Sequence, residues 1–150
     1  MTLKIVPLDI VRKKEAEKRL KAIEELEKEN SKVFNGVYMI HNTLHNRKYI
    51  GSTKDVNRRI KTHKRELEMG SHNNRFMQKD YNEAGPNLFK YVILEKEIAG
   101  NLLTAYEKYY MYIHDSVVMY KGYNQMFPST DHKLFKQVYE SKLEEEKNIL

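Results

Sequence analysis

The sequence predicts an α/β (α+β) domain: a small, mainly antiparallel three-stranded sheet flanked by helices, with extra helices at the N- and C-terminal ends. Three observations predict it. Two short β-like runs, 36–41 and 47–51, are joined by the polar connector Asn42-Thr43-Leu44-His45-Asn46, which has hairpin length. A third run, 88–95, is rich in β-formers. Between and around these runs, apolar residues recur at helical spacing.

From the N-terminus, Asp9 is expected to cap a helix running to about Asn30, with Ala16, Leu20 and Ile23 in a narrow stripe and Leu26 near its edge. Glu15 with Arg19, Glu17 with Lys21 and Glu24 with Lys28 stand four apart, each pair adding ~0.2–0.5 kcal/mol at most. This helix reads either as a solvated element leaning on the domain or as a self-association or DNA-backbone arm. A polar link leads into the hairpin, where Tyr38 shares a strand face with Ile40, and Tyr49 with Gly51. Pairing the two runs would bring both phenols to one patch of surface.

Ser52 and Thr53 are the expected N-caps of the next helix, which ends at Glu68 before the Met69-Gly70-Ser71 turn. Val56, Ile60, Leu67 and His63 form its inward stripe, Arg59 lies beside that stripe, and Lys54, Arg58, Lys61 and Arg65 point the other way. A further helix is predicted over 73–83, with Phe76, Met77 and Tyr81 apolar, ended by Gly85-Pro86-Asn87. The run 88–95 reads as the central or third strand. A helix over about 102–114 carries Leu103, Tyr106, Tyr110 and Ile113 on one stripe, with Glu107 at its margin. The stretch 120–128 is aromatic and turn-rich. From about Thr130 a last helix turns Leu134, Val138 and Phe135 inward.

A chain of 150 residues suffices for one domain with a real core. Its composition, 40% hydrophobic and 32% charged, is that of a soluble globular protein. No run approaches the ~20 apolar residues that span a bilayer, and the first residues lack the apolar core of a secretion signal. The expected location is therefore the cytoplasm, that of the host if the chain is phage-encoded, with no membrane partner. The absence of cysteine excludes disulfides, zinc ribbons and thiol catalysis. The net charge of +6 points to a polyanion, and its distribution says more than its sum. Residues 47–65 alone hold eight Lys or Arg against the single acid Asp55.

Gly36-Val37-Tyr38 and Tyr49-Ile50-Gly51 are separated by ten residues, Arg59 and His63 follow Tyr49 by ten and fourteen, Glu107 lies in a later helix and Gly122-Tyr123-Asn124 in a later turn. In this order and spacing they resemble the GIY-YIG nuclease family, most closely the catalytic heads of phage homing endonucleases. The resemblance covers about two thirds of the chain. It implies a partition into an N-terminal helical extension (1–33), a nuclease domain (34–128) and a C-terminal helix (129–150). It also implies a metal-dependent endonuclease acting on double-stranded DNA and leaving 5′-phosphate and 3′-hydroxyl ends. Homing enzymes of this kind usually add a DNA-binding region after the head. Only about twenty residues follow the core here, which fits a free-standing or restriction-type enzyme, a possible homodimer through its terminal helices. A branch- or damage-selective repair nuclease and a catalytically silent nucleic-acid-binding module are the alternatives.

Phosphodiester hydrolysis needs a nucleophilic water, charge compensation on the phosphoryl oxygens and help for the leaving oxygen. Mg²⁺ supplies the last two and is held by only one or two carboxylates, so Glu107 alone suffices, and Mn²⁺ is expected to substitute. The planar fork of Arg59 suits a phosphate. By resemblance Tyr38 is the general base, Tyr49 positions water or phosphate, His63 accepts a proton or orients a phenol, and Asn124 braces the site. A free tyrosine titrates near ~10, so Tyr38 is expected to lie near cations or the metal, which favour phenolate. Lys54, Arg58, Lys61, Arg65 and His72 are expected along the DNA backbone. Each residue also has a plain structural reading: strand tyrosines, a core histidine, a turn asparagine, a solvated helix face. His41 and His45 sit in the hairpin connector, where a metal pair is not expected.

Overall fold

The run Gly36-Val37-Tyr38-Met39-Ile40 is apolar at consecutive positions, so it is covered only if both faces of its strand are packed. The computed structural model, which describes residues 5–149, achieves this by making β1 (Gly36–Asn42) the middle strand. It lies between β2 (Arg47–Thr53) and β3 (Phe89–Lys96), in the order β2-β1-β3, with both pairings antiparallel. Val37 and Met39 join Ile50 on one face, under α4 (Leu103–Ile113) and α5 (His132–Ile149), where Ala105, Tyr109, Met111 and Val138 complete the core. Tyr38 and Ile40 face the other way, against α2 (Val56–Glu68) and α3 (Arg75–Ala84), with Leu67, Met77, Phe89 and Tyr123.

β3 is an edge strand, and its apolar run is only half covered: Val92 and Ile93 remain 39% and 42% exposed. Its pairing with β1 shifts register between Val37 and Tyr38, where Val37 faces Glu95 but Tyr38 faces Ile93, leaving Leu94 as the extra residue of a bulge. On α4 the expected stripe holds at Tyr110, which is buried, and at Leu103 and Tyr106, which pack against the core, while Ile113 is exposed and Ala105, Tyr109 and Met111 are buried beside it.

Ser52 and Thr53 do not cap α2. They extend β2 opposite Val37 and Gly36, and the cap is Asp55, whose Oδ1 accepts the Arg58 N–H at 3.2 Å. The Thr53 hydroxyl accepts the Asp55 N–H at 3.2 Å and so turns the chain between strand and helix. Asn74 caps α3 in the same manner, accepting from Met77 N at 3.0 Å. α3 turns two polar residues inward, Gln78 and Asp80. Asp80 Oδ2 accepts from Arg47 Nη1 and from Tyr123 Oη, each at 2.7 Å, and Tyr123 Oη accepts from Asn42 Nδ2 at 3.0 Å. This buried group ties β1, β2, α3 and the 120–124 turn together.

Residues up to 32 form a second unit, built on α1 (Leu8–Asn30). Strong helix formers account for the helix, which buries none of its side chains. Pro7 precedes its first turn and Asp9 lies within that turn, where a carboxylate favours the helix dipole rather than capping. Among the described residues no helix is long and apolar enough to cross a membrane.

Candidate active site

The antiparallel register sets Tyr38 opposite Gly51 and Ile40 opposite Tyr49, so the two tyrosines are diagonal neighbours on one face with ring centroids 6.3 Å apart. Gly51 makes this possible, because a Cβ at that position would overlap the Tyr38 phenol. His63, one α2 turn beyond Arg59, fits against both rings at centroid distances of 5.4 Å and 5.5 Å.

Tyr38 and His63 are each only 1% exposed, and Tyr38 Oη lies 2.7 Å from His63 Nε2. His63 Nδ1 in turn lies 2.7 Å from Nε2 of the buried His72. The direction of this chain follows from its far end. The backbone N–H of Asn74 donates to His72 Nδ1 at 3.0 Å, so in the neutral ring the proton is on Nε2. His72 Nε2–H then donates to His63 Nδ1, which leaves His63 Nε2–H to donate to the phenol oxygen of Tyr38. Gln78 holds the loop that delivers His72, accepting from His72 N at 3.1 Å and donating to Leu67 O at 3.0 Å.

The open edge of β2 recruits the rest. Residues 48, 50 and 52 turn their N–H groups away from β1, and each finds an acceptor: Lys48 N donates to Lys121 O, Ile50 N to Asn124 Oδ1 at 2.8 Å, and Ser52 N to Glu107 Oε1 at 3.1 Å. Asn124 Nδ2 also donates to Ile50 O at 2.9 Å, so its amide mimics one more strand residue. Gly122 is needed for this approach, as a Cβ there would overlap the Ser116 backbone. Glu107 projects from α4, on the opposite face of the sheet from the phenols, and meets the site at this edge. The Ser52 side chain engages the same carboxylate.

Burial, followed by the neighbouring Tyr49, pushes the Tyr38 phenol well up despite Arg59. Burial raises Tyr49 as well. Both are therefore neutral phenols at neutral pH, contrary to the expectation that nearby cations would favour phenolate. Burial works to lower Arg59, but the two phenols outweigh it and the guanidinium stays charged. His63 is pushed down to about 3 by burial, then by Arg59 and His72. Burial also lowers His72, partly offset by Glu66. Burial raises Glu107, partly offset by the hydrogen bonds of Ser52.

The structure thus brings Tyr38, Tyr49, Arg59 and His63 together, with Glu107 close enough for its charge to act on both phenols. A cleft of about 320 Å³ is lined by Tyr49, Arg59, His63, Glu66 and His72 among others, while Tyr38 lies beneath it and Glu107 at the strand edge. Lys54, Arg58, Lys61 and Arg65 are exposed on and beside α2. His72 is not with them: at 4% exposure it belongs to the histidine chain, not to an outer DNA-facing surface. Sequence reasoning named Gly51 in its motif without seeing that it makes room for Tyr38, and it missed Glu66, Asn74 and Gln78. Of these three only Asn74 carried a legible signal, an asparagine ahead of a helix.

Two groups among the described residues stand close enough to hold a metal ion, His63 with Glu66 and His72, and His45 with Asp80 and Glu83. The first is already satisfied by protons, since a cation at His72 Nε2 would put a proton on Nδ1, facing the Asn74 N–H. In the second, Asp80 is already neutralised by Arg47. Glu107, a carboxylate held at the strand edge by Ser52, fits a hard divalent ion that takes a single carboxylate and completes its shell with water and phosphate oxygens.

Comparison with known proteins adds to this geometry. Over 61 residues the chain is 44% identical to Intron-associated endonuclease 1 of Enterobacteria phage T4, a match covering 41% of this chain and 24% of that protein. The chain thus spans about a quarter of the length of this curated relative. An alanine variant of the catalytic domain of intron endonuclease I-TevI superimposes with a TM-score of 0.56 at 32% identity, covering 65% of this chain and 99% of that one. The catalytic domain of homing endonuclease I-TevI does so with a TM-score of 0.54 at 36% identity, covering 61% and 98%. The GIY-YIG catalytic domain model matches residues 34–124, more than half of the sequence. The chain belongs to the GIY-YIG family and carries its endonuclease catalytic domain.

Proposed function

We propose that the protein is a metal-dependent DNA endonuclease that hydrolyses phosphodiester bonds to 5′-phosphate and 3′-hydroxyl ends, using Mg²⁺ with Mn²⁺ as a substitute. A free-standing homing-type or restriction-type enzyme on double-stranded DNA fits best. One observation carries the reading: two phenols, a guanidinium and a neutral histidine converge beside the strand edge that receives Glu107. The I-TevI relatives, named as intron and homing endonucleases, point the same way.

Glu107 would hold the cation through its carboxylate. When bound, the cation supplies charge compensation on the phosphoryl oxygens and help for the leaving oxygen. Arg59 grips a phosphate oxygen from the mouth of the cleft. Tyr49 positions the water or the phosphate. Tyr38 is the general base, acting as the phenolate after its own proton passes to solvent water; the oxyanion then keeps the His63 Nε2–H donor and the neighbouring Arg59 charge and takes a proton from the attacking water. His63 donates throughout, held in that tautomer by His72 and Asn74. Asn124 keeps β2 in place and takes no part in proton transfer.

Supercoiled plasmid incubated with Mg²⁺ tests this reading. Wild type is expected to cut, leaving ends that a DNA ligase rejoins, while Tyr38→Phe and Glu107→Ala lose activity by about 100-fold or more. Unchanged cutting by Glu107→Ala would remove the metal assignment. Binding without cutting by the wild type would leave the silent module.

A further inference from the structure

A second cavity, of about 640 Å³, opens beside the cleft, walled by Phe76, Val117, Met119 and Tyr120 and rimmed by Asn73 and Gln125. The two hollows are neighbours, since Asn73, Asn74, Tyr123, Asn124 and Gln125 line both. Among these amides Asn124 is spent on Ile50, and Asn74 on Met77 and Tyr123. Asn73 and Gln125 are exposed and make no side-chain hydrogen bond among the described residues. The apolar walls are open too, with Met119 77% and Tyr120 71% exposed.

Arg47 steadies this surface. Its guanidinium lies 4.6 Å from the Phe76 ring centroid, and its Nε donates to Tyr120 O at 3.3 Å. Phe76 is set edge-on to Tyr123 at 5.5 Å. Aromatic walls with uncommitted amides on the rim suit a flat heteroaromatic ring that needs stacking on its face and hydrogen bonds along its edge.

We propose that this cavity receives one nucleobase, out of the helical stack, from a nucleotide adjoining the phosphate in the catalytic cleft. The proposal rests on the nuclease reading for its choice of ligand, because adjacency to a phosphate-binding cleft is what singles out a base from other flat ligands. Stacking tolerates any base, whereas Asn73 and Gln125 discriminate among base edges. A base already unpaired, at a bulge, flap or junction, enters without the cost of leaving the duplex. Within double-stranded DNA, a site carrying such a base is therefore bound more tightly than a fully stacked one.

Binding measured in EDTA separates this claim from catalysis. The full chain is titrated, by anisotropy of an end label, against three duplexes: intact, with a one-nucleotide bulge carrying a base, and with the same bulge made abasic. Wild type is expected to bind the base bulge about tenfold or more tighter than the abasic bulge. Tyr120→Ala and Met119→Ala, which line only this cavity, are expected to lose most of that preference, with affinity for the abasic bulge changed by less than about twofold. Equal affinity of wild type for the two bulges overturns the proposal, as does a preference that survives in both variants or an absence of binding to all three. A base preference in a protein that cuts no DNA would sink the catalytic reading and keep the cavity assignment. Equal affinities in a protein that does cut would do the reverse.

Discussion

Gly51 and Tyr38 are cross-strand partners, and the glycine's missing side chain is the space the phenol occupies. A Gly51→Ala variant must therefore move the Tyr38 ring or the strand, at a cost of about 1–3 kcal/mol. It is expected to lower cutting far more than an alanine at exposed Lys61, as a plasmid assay beside a denaturation curve would show. The histidines permit a pH test. His63 titrates near about 6.5 when unfolded and about 3 when folded, so the unfolded chain takes up a proton that the folded chain refuses. Stability from this site is complete above about pH 6.5 and falls as the pH drops toward about 3. The loss is on the order of 4 kcal/mol, and His72, lowered in the same direction, adds to it. Urea denaturation from pH 7 to pH 4 is expected to show a shallower decline in His63→Gln than in wild type; parallel curves would refute the assignment. The tyrosines, Arg59 and Glu107 were legible as residues because their words and spacings survive in the linear sequence. Their charge states were not, since the burial that keeps both phenols protonated exists only after folding.

At the level of elements, strand and helix identities followed from period and turn chemistry, and the errors gathered where one element borrows a partner from another. β2 runs on through Thr53 because Ser52 still pairs with β1 and finds the Glu107 carboxylate at its outer edge. A local reading of Ser52 and Thr53 as helix caps has no access to that contact. Capping thus falls to Asp55, and Asp55→Ala is expected to destabilise the domain by about 0.5–2 kcal/mol, read from the urea midpoint. α3 misleads in the opposite sense. Asp80 and Gln78 look like solvent-facing residues in sequence, but one neutralises Arg47 beneath the 120–124 turn and the other holds His72. Removing the Asp80 carboxylate strands a partly buried guanidinium and the Tyr123 hydroxyl. Asp80→Ala is expected to cost about 3–5 kcal/mol, against near-neutral effects for its exposed neighbour Lys79.

Across the whole molecule, the charge that suggests a polyanion is segregated. Residues 33–130 carry fourteen basic and nine acidic side chains, while 131–150 carry four and five. Lys54, Arg58, Lys61 and Arg65 stand exposed on and beside the helix that also supplies Arg59 and His63, so a backbone tracked by this face would run toward the cleft. Each phosphate contact releases condensed counterions, and binding to duplex DNA should weaken with salt by about 0.9 logarithmic units per tenfold rise for every contact. Replacing Lys61 and Arg65 together by alanine is expected to reduce that slope by close to the contribution of two contacts. Lys147→Ala, beside the acidic run Glu144-Glu145-Glu146 on α5, is expected to leave it unchanged. Filter binding in EDTA across a salt series measures all three proteins without cleavage. An unchanged slope in the double variant would show that the outward face of α2 is only solvated surface, and DNA would then have to approach the cleft over the cavity formed by Phe76 and Tyr120.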